Sequence, residues 1–235
     1  MKLTEEHIKN LYKFTRQHYV YHYDVQTELV DHLANDIEKI WEAQPHLTFE
    51  EARDKSFKKF GVFGFMDVVE AKQKQMNKRY WKIILRFMKE WFVVPKIILT
   101  IGVFCIFFFL LQVQYSEYIF LSTLLVLITL EMRIVYKIRK KQKEKEKKED
   151  KIFLLEAMIG TTKNGYTGFT FVNLFNIIHL TKFNFSAISI HWIFLISIIL
   201  TLLCILFYVS NYVLPQKAEE LLQETYPEYK LVKNL

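Results

Sequence analysis

The stretch VVPKIILTIGVFCIFFFLLQV, Val93–Val113, decides the fold class. After Pro95 and Lys96 it carries no charge, and a helix that is apolar on every side has no face to offer to water. A bilayer core of roughly 30 Å takes about 20 helical residues at 1.5 Å each. The stretch is therefore expected to cross a membrane. Trp91 and Phe92 before it, with Tyr115 and Tyr118 after it, fit aromatic belts at the two interfaces.

Working outward, Tyr118–Val135 reads as a second span joined to the first by the short connector Gln114–Glu117. Its Glu131 and Arg133 lie near the far end, where charges are expected to snorkel to the interface. Ile188–Leu214 is a last span, long enough to tilt, with Tyr208 and Tyr212 at one interface and Pro215 as a stop. Thr167–Phe185 is apolar enough to enter the membrane but carries Asn173, Asn176, His179, Lys182 and Asn184. It is read first as a third span packed on its neighbours, and second as a re-entrant or interface-lying helix. The fold class expected is all-α: a helical bundle over residues 1–75, a basic connecting helix over 76–92, a four-span domain over 93–214 and a tail over 215–235.

Net charge is +7, but its position decides what it means. The run KIRKKQKEKEKKEDK at 137–151 holds nine basic and four acidic residues and follows the second span directly. It lacks the aromatic residues on which single-strand nucleic-acid binders stack bases, so no nucleic acid is expected as partner. The short-loop bias of Lys and Arg instead places this loop, both termini and the segment before Val93 on the cytosolic side. Arg139, Lys140 and Lys141 are topogenic, and Lys72, Lys78, Arg79, Lys82 and Arg86 are expected on anionic headgroups of the lipid bilayer. The N-terminus has no apolar run of the kind a cleavable signal peptide needs. Cys105 and Cys204 sit inside apolar runs and read as small buried hydrophobes, without a disulfide or metal partner.

Before the membrane, helices are expected from about Thr4 to His18 and from Val25 to Trp41. In the first, Ile8, Leu11, Tyr12 and Phe14 or Tyr19 face inward. The second shows Val25, Leu29, Leu33, Ile37 and Trp41 at every fourth residue, with Asp24 as N-cap. Thr48-Phe49-Glu50-Glu51 is a capping box that opens a third, and Gly61 suits its C-terminal reversal. The fourth opens near Phe65–Asp67 and is expected to run through Trp91 towards the first span.

The run Glu28-Leu29-Val30-Asp31-His32-Leu33, with Ile37 and Glu38, then Thr48-Phe49-Glu50-Glu51-Ala52 and Phe60-Gly61, resembles the HAAS-type or permease-prefix helical domain over about residues 5–75. That resemblance implies a cytosolic N-terminal domain on a bacterial inner-membrane protein, a regulatory role in some members, and no particular activity.

Glu28, Asp31, His32 and Asp36 share one helix and form a candidate partner-binding face; Glu28 and His32, four residues apart, could also hold a cation, against the plainer reading of a solvated face. Asn173, Asn176 and His179, three apart, form a polar stripe, either a substrate or proton path or hydrogen bonding between helices. Gly160–Gly165 lacks the Lys-Ser/Thr pair of a phosphate loop, and no catalytic set occurs. No cofactor or metal is expected. The leading expectation is a non-enzymatic regulatory or sensing protein that binds a cytosolic protein partner through its N-terminal domain. The runner-up is a small permease or transporter subunit using the stripe of span 3.

Overall fold

The computed structural model describes residues 2–147, 151–159, 172–176, 179 and 188–233. All secondary structure among them is helical. Contacts divide the chain into two units: residues 1–79 with 150–155, and the remainder.

In the first unit, α1 spans Glu5–Gln17, α2 Tyr23–Ala43 and α3 Phe49–Lys58. Both Thr4 and Thr48 make reciprocal capping boxes, Thr4 with His7 and Thr48 with Glu51. Each satisfies amide groups that a helix start would otherwise leave open. Hydrogen bonding by the Thr48 backbone holds the Glu51 carboxyl below its ordinary value. The every-fourth-residue pattern of α2 is its buried stripe: Val25, Leu29, Leu33, Ile37 and Trp41 are all at most 2% exposed. Full burial of each such side chain is worth about 1.5–3 kcal/mol. Trp41 also donates its indole N–H to the Leu47 carbonyl at 3.0 Å. From α1, Leu11 and Phe14 are buried while Tyr19 stands out in solvent, which settles the choice between the last two.

Gly61 and Gly64 both take positive φ in the turn after α3. Behind them Phe57, Phe60 and Phe65 pack edge to face, with Phe65 4.8 Å from Phe57 and 4.9 Å from Phe60. Such tilted ring pairs add about 0.5–1.5 kcal/mol beyond area burial.

Helix α4, Met66–Lys89, ends in a 3₁₀ turn at Glu90–Phe92. Contrary to the expected run, this helix does not continue straight towards the first span. Val93 is extended, and α5, Lys96–Leu110, leaves at 87° to the preceding helix. Pro95 explains the break, since a proline disfavours helical backbone at the residue before it. At 15 residues α5 is also shorter than the span expected over Val93–Val113.

In the second unit, α6 spans Ser116–Lys147 and α8 spans Ile190–Tyr208, continued by a π stretch at Val209–Val213 and a last turn at Leu214–Gln216; the four-residue α7, Leu154–Ala157, lies between them in sequence. Residues 137–147, expected as a loop, prolong α6 instead. Leu111, Phe120, Leu124, Ile193, Leu200 and Phe207 form the buried cluster. Phe104 meets Phe194 at 5.3 Å, and Trp91 meets Tyr208 at 5.4 Å. Facing outward are Ile98, Leu99, Phe109, Val126 and Phe194. A surface this apolar suits lipid rather than water. Among the described residues, two helices, Ser116–Lys140 and Ile190–Gln216, are long and apolar enough to cross a membrane, and a third is gained if the bent pair around Pro95 counts as one.

Glu131 also departs from its expected place at the interface. It does not snorkel: it is 2% exposed, on the face of α6 that also carries Leu124, Ile128 and Ile134 against the apolar cluster. The C-terminal segment forms α9, Ala218–Thr225, and α10, Tyr229–Lys233. Arg86 grips Glu224 of α9 through two hydrogen bonds of 3.2 Å. Of the expected span at 167–185, only 172–176 and 179 fall among the described residues, and the rest lies outside them.

Candidate functional site

At the start of α2 the backbone amides have no intrahelical partners, as at every helix N-terminus. Asp24 was expected to cap them. His22 occupies the cap position, without a side-chain cap bond, and Asp24 turns to another task. Its Oδ1 accepts a hydrogen bond from the backbone N–H of Leu154 at 2.9 Å. One residue earlier, the Tyr23 N–H donates to the Ile152 carbonyl, also at 2.9 Å. The segment that leads into α7 is thus pinned at two points.

Apolar contact reinforces the two bonds. Ile152, Phe153, Leu154 and Leu155 are between 0 and 9% exposed. Phe153 meets Tyr23 edge-on at 5.4 Å, and Tyr23 stacks on Tyr12 at 6.2 Å. The Lys151 ammonium lies 5.2 Å from the centre of the Tyr23 ring, within cation–π range. Tyr12 shares a 3.1 Å hydrogen bond with Thr27. Its phenol is pushed above its ordinary pKa mainly by burial. Local spacing in the sequence does not reveal this clip. The signal available was the run IFLL at 152–155, apolar but too short to span, directly after the lysine-rich segment.

The loop that feeds the clip also lines a cavity of about 500 Å³, walled by Tyr19, Tyr21, His22, Met66, Val69 and Gln73. Its lining is mostly apolar, and Tyr19 and Tyr21 stand 69% and 61% exposed at its rim. A pocket of that size and character suits a side chain or small apolar ligand better than a charged one.

The candidate face on α2 is partly taken up within the unit itself. Glu28 pairs with Lys72 at 2.6 Å and Asp36 with Lys59 at 2.7 Å. His32 meets Phe60 at 5.7 Å, and Asp31 is exposed. Burial works against ionisation of Asp36, but hydrogen bonds from Lys59 and Ser56, together with the charge of Lys59, outweigh it and hold the carboxyl below its ordinary value. No group of three or more metal-ligating side chains occurs among the described residues.

Of the membrane-side candidates, Asn173, Asn176 and His179 are all exposed, with His179 stacked on Phe175 at 5.8 Å. Leu174 and Phe175 pack on the apolar cluster, so the amides point away from it. Polar groups that the sequence did not single out lie inside instead. Ser197 and Thr201 are buried in α8, and Ser210 and Asn211 in the π stretch that continues it. Ser197 and Thr201 return their hydroxyls to the carbonyls four residues back, each at 2.7 Å, and Asn211 donates to the Phe207 carbonyl at 2.9 Å. Ser and Thr satisfy themselves this way in apolar surroundings.

Among the basic residues, Lys78, Arg79, Lys82, Arg139 and Lys140 are exposed, while Lys72 and Arg86 hold Glu28 and Glu224. No protein-family model, no curated protein and no solved structure matches this chain.

Proposed function

We propose that this chain is a four-span protein of a bacterial inner membrane, with both termini cytosolic, whose HAAS-like N-terminal domain binds a protein partner or senses a state and carries no catalysis. The clip is the observation behind this reading. A domain that swallows part of the connector leaving α6 is covalently tied to that helix, and a change at the clip would pull on it. Exposed Asp31 and His32, together with the apolar cavity beside Tyr19, offer a partner places to bind. Cross-linking and co-purification of the full chain from cells tests the reading. A partner that is retained by the native protein and lost when Asp31 and His32 are replaced by Ala supports it. Retrieval of the same proteins by both forms counts against it.

The exposed stripe Asn173, Asn176 and His179 favours a second reading, a small permease or transporter subunit. Leucine at these three positions separates the two. Loss of a transport phenotype at unchanged abundance favours transport, and an unchanged phenotype favours the regulatory reading.

A further inference from the structure

The C-terminal half of α4 has two apolar faces. Tyr80, Ile83, Ile84 and Phe87 are buried, and on that stretch Arg86 reaches Glu224 of α9. Burial raises the Tyr80 phenol well above its ordinary pKa. An adjoining side exposes Trp81 and Leu85 at 40% and 52%, and Phe92 in the turn beyond at 50%. Stepping about 100° per residue, Trp81, Leu85 and Met88 fall on one narrow arc, distinct from the buried one. Lys78, Lys82 and Lys89 lie along its flank and are exposed. The exposed apolar surface continues through Val93 and Val94, 63% and 75% exposed, into α5.

An exposed apolar stripe with a basic flank fits one environment well: the boundary between headgroups and acyl chains in an anionic leaflet, with apolar side chains dipping in and lysines on the phosphates. The 87° bend at Val93–Pro95 supplies the matching geometry. When α5 stands across the bilayer, the helix that ends at Phe92 lies along its surface.

We propose that residues 78–92 form an in-plane lipid-binding helix, inserting Trp81, Leu85, Met88 and Phe92 into an anionic leaflet with Lys78, Lys82 and Lys89 on its phosphates. The proposal rests on the membrane reading above and not on the regulatory one. It gives the chain a surface that responds to lipid charge, placed one helix turn from the Arg86–Glu224 contact.

The test uses the full chain with Cys105 and Cys204 replaced by Ala, carrying L85C or W81C labelled with an environment-sensitive fluorophore, in nanodiscs of phosphatidylglycerol or of phosphatidylcholine. Both positions are exposed, so either label leaves the packed core alone. The expected result is blue-shifted emission quenched by nitroxide-labelled lipid and shielded from iodide, more fully in phosphatidylglycerol. Replacing Lys78, Lys82 and Lys89 with Gln should weaken seating by about fivefold per lysine and remove the preference for the anionic lipid. Emission quenched by iodide and untouched by nitroxide lipid, in discs that hold the protein, overturns this proposal alone. So does a probe shielded from both quenchers, which would mean that protein covers the stripe. A chain that stays in buffer without lipid overturns the membrane reading as well.

Discussion

Asp24 and Leu154, 130 residues apart in sequence, are joined by a 2.9 Å hydrogen bond from a backbone N–H to a carboxylate. Leu154 is 3% exposed, so an amide left without its acceptor there would sit largely out of reach of water. An unsatisfied buried donor costs about 1–3 kcal/mol. D24A is therefore expected to loosen the clip by that order, and D24N, which keeps a side-chain carbonyl, by less. Limited trypsin digestion reads this directly, because Lys151 opens the docked segment. Cleavage there should accelerate in D24A and change little in D24N. Equal rates in all three proteins would remove the bond from any role in holding the segment.

What the sequence revealed and what it hid divide along a physical line. The stripe of α2 and the Thr48 box depend on residues within a turn or two of each other, so spacing alone exposes them. Spacing assigns Asp24 to the nearest helix start for the same reason, yet its acceptor role is filled from a segment that periodicity cannot connect to it. Glu131 shows the converse. Its distance from the end of an apolar run suggested a route to the interface, whereas the helix continues to Lys147 and the side chain lies on its packed face. The break before α5 was legible in Pro95, but the hydropathy on both sides of it read as continuous.

Gly64 and Gly61 provide a comparison in which backbone and packing can be separated. Both hold positive φ, +56° and +78°, where a side chain strains the backbone. A Cβ on Gly61 would meet open space, while one on Gly64 would lie 2.9 Å from the Phe57 ring. That ring is hemmed in by Phe14, Phe60 and Phe65, so it has little room to retreat. G61A is expected to cost about 1 kcal/mol and G64A about 2–3 kcal/mol. Thermal unfolding of the detergent-solubilised proteins should rank them in that order, and equal midpoints would contradict the packing argument.

The Asp36–Lys59 pair predicts an acid-side dependence. Asp36 has its carboxyl held below the ordinary 3.8, so the unfolded chain binds the proton more readily than the folded one. The pair's stabilisation is then complete above the ordinary value and fades as pH falls through the lower, folded value. Because Lys59 is 57% exposed, the pair is worth at most about 1 kcal/mol. D36N should lose that amount near neutrality and show a shallower decline in stability as pH falls below the ordinary value of 3.8. An unchanged acid limb in D36N would assign the decline to other carboxylates.

Topology is the prediction with the widest consequence, since three spans and four place the tail on opposite sides. In a background with Cys105 and Cys204 replaced, single cysteines at Gln114, Lys140 and Lys230 occupy exposed positions before α6, late in α6 and in α10. The lysine density of 137–151 argues that Lys140 stays inside, because translocating a short loop this basic opposes the charge bias that orients membrane helices. A membrane-impermeant maleimide on intact cells should label Q114C, and should reach K140C only after permeabilisation. K230C then decides the count. Labelling only after permeabilisation means that 167–185 crosses, and labelling from outside means that it does not. Labelling of K140C from outside would invert the whole arrangement, and with it the cytosolic placement on which the partner-binding reading depends.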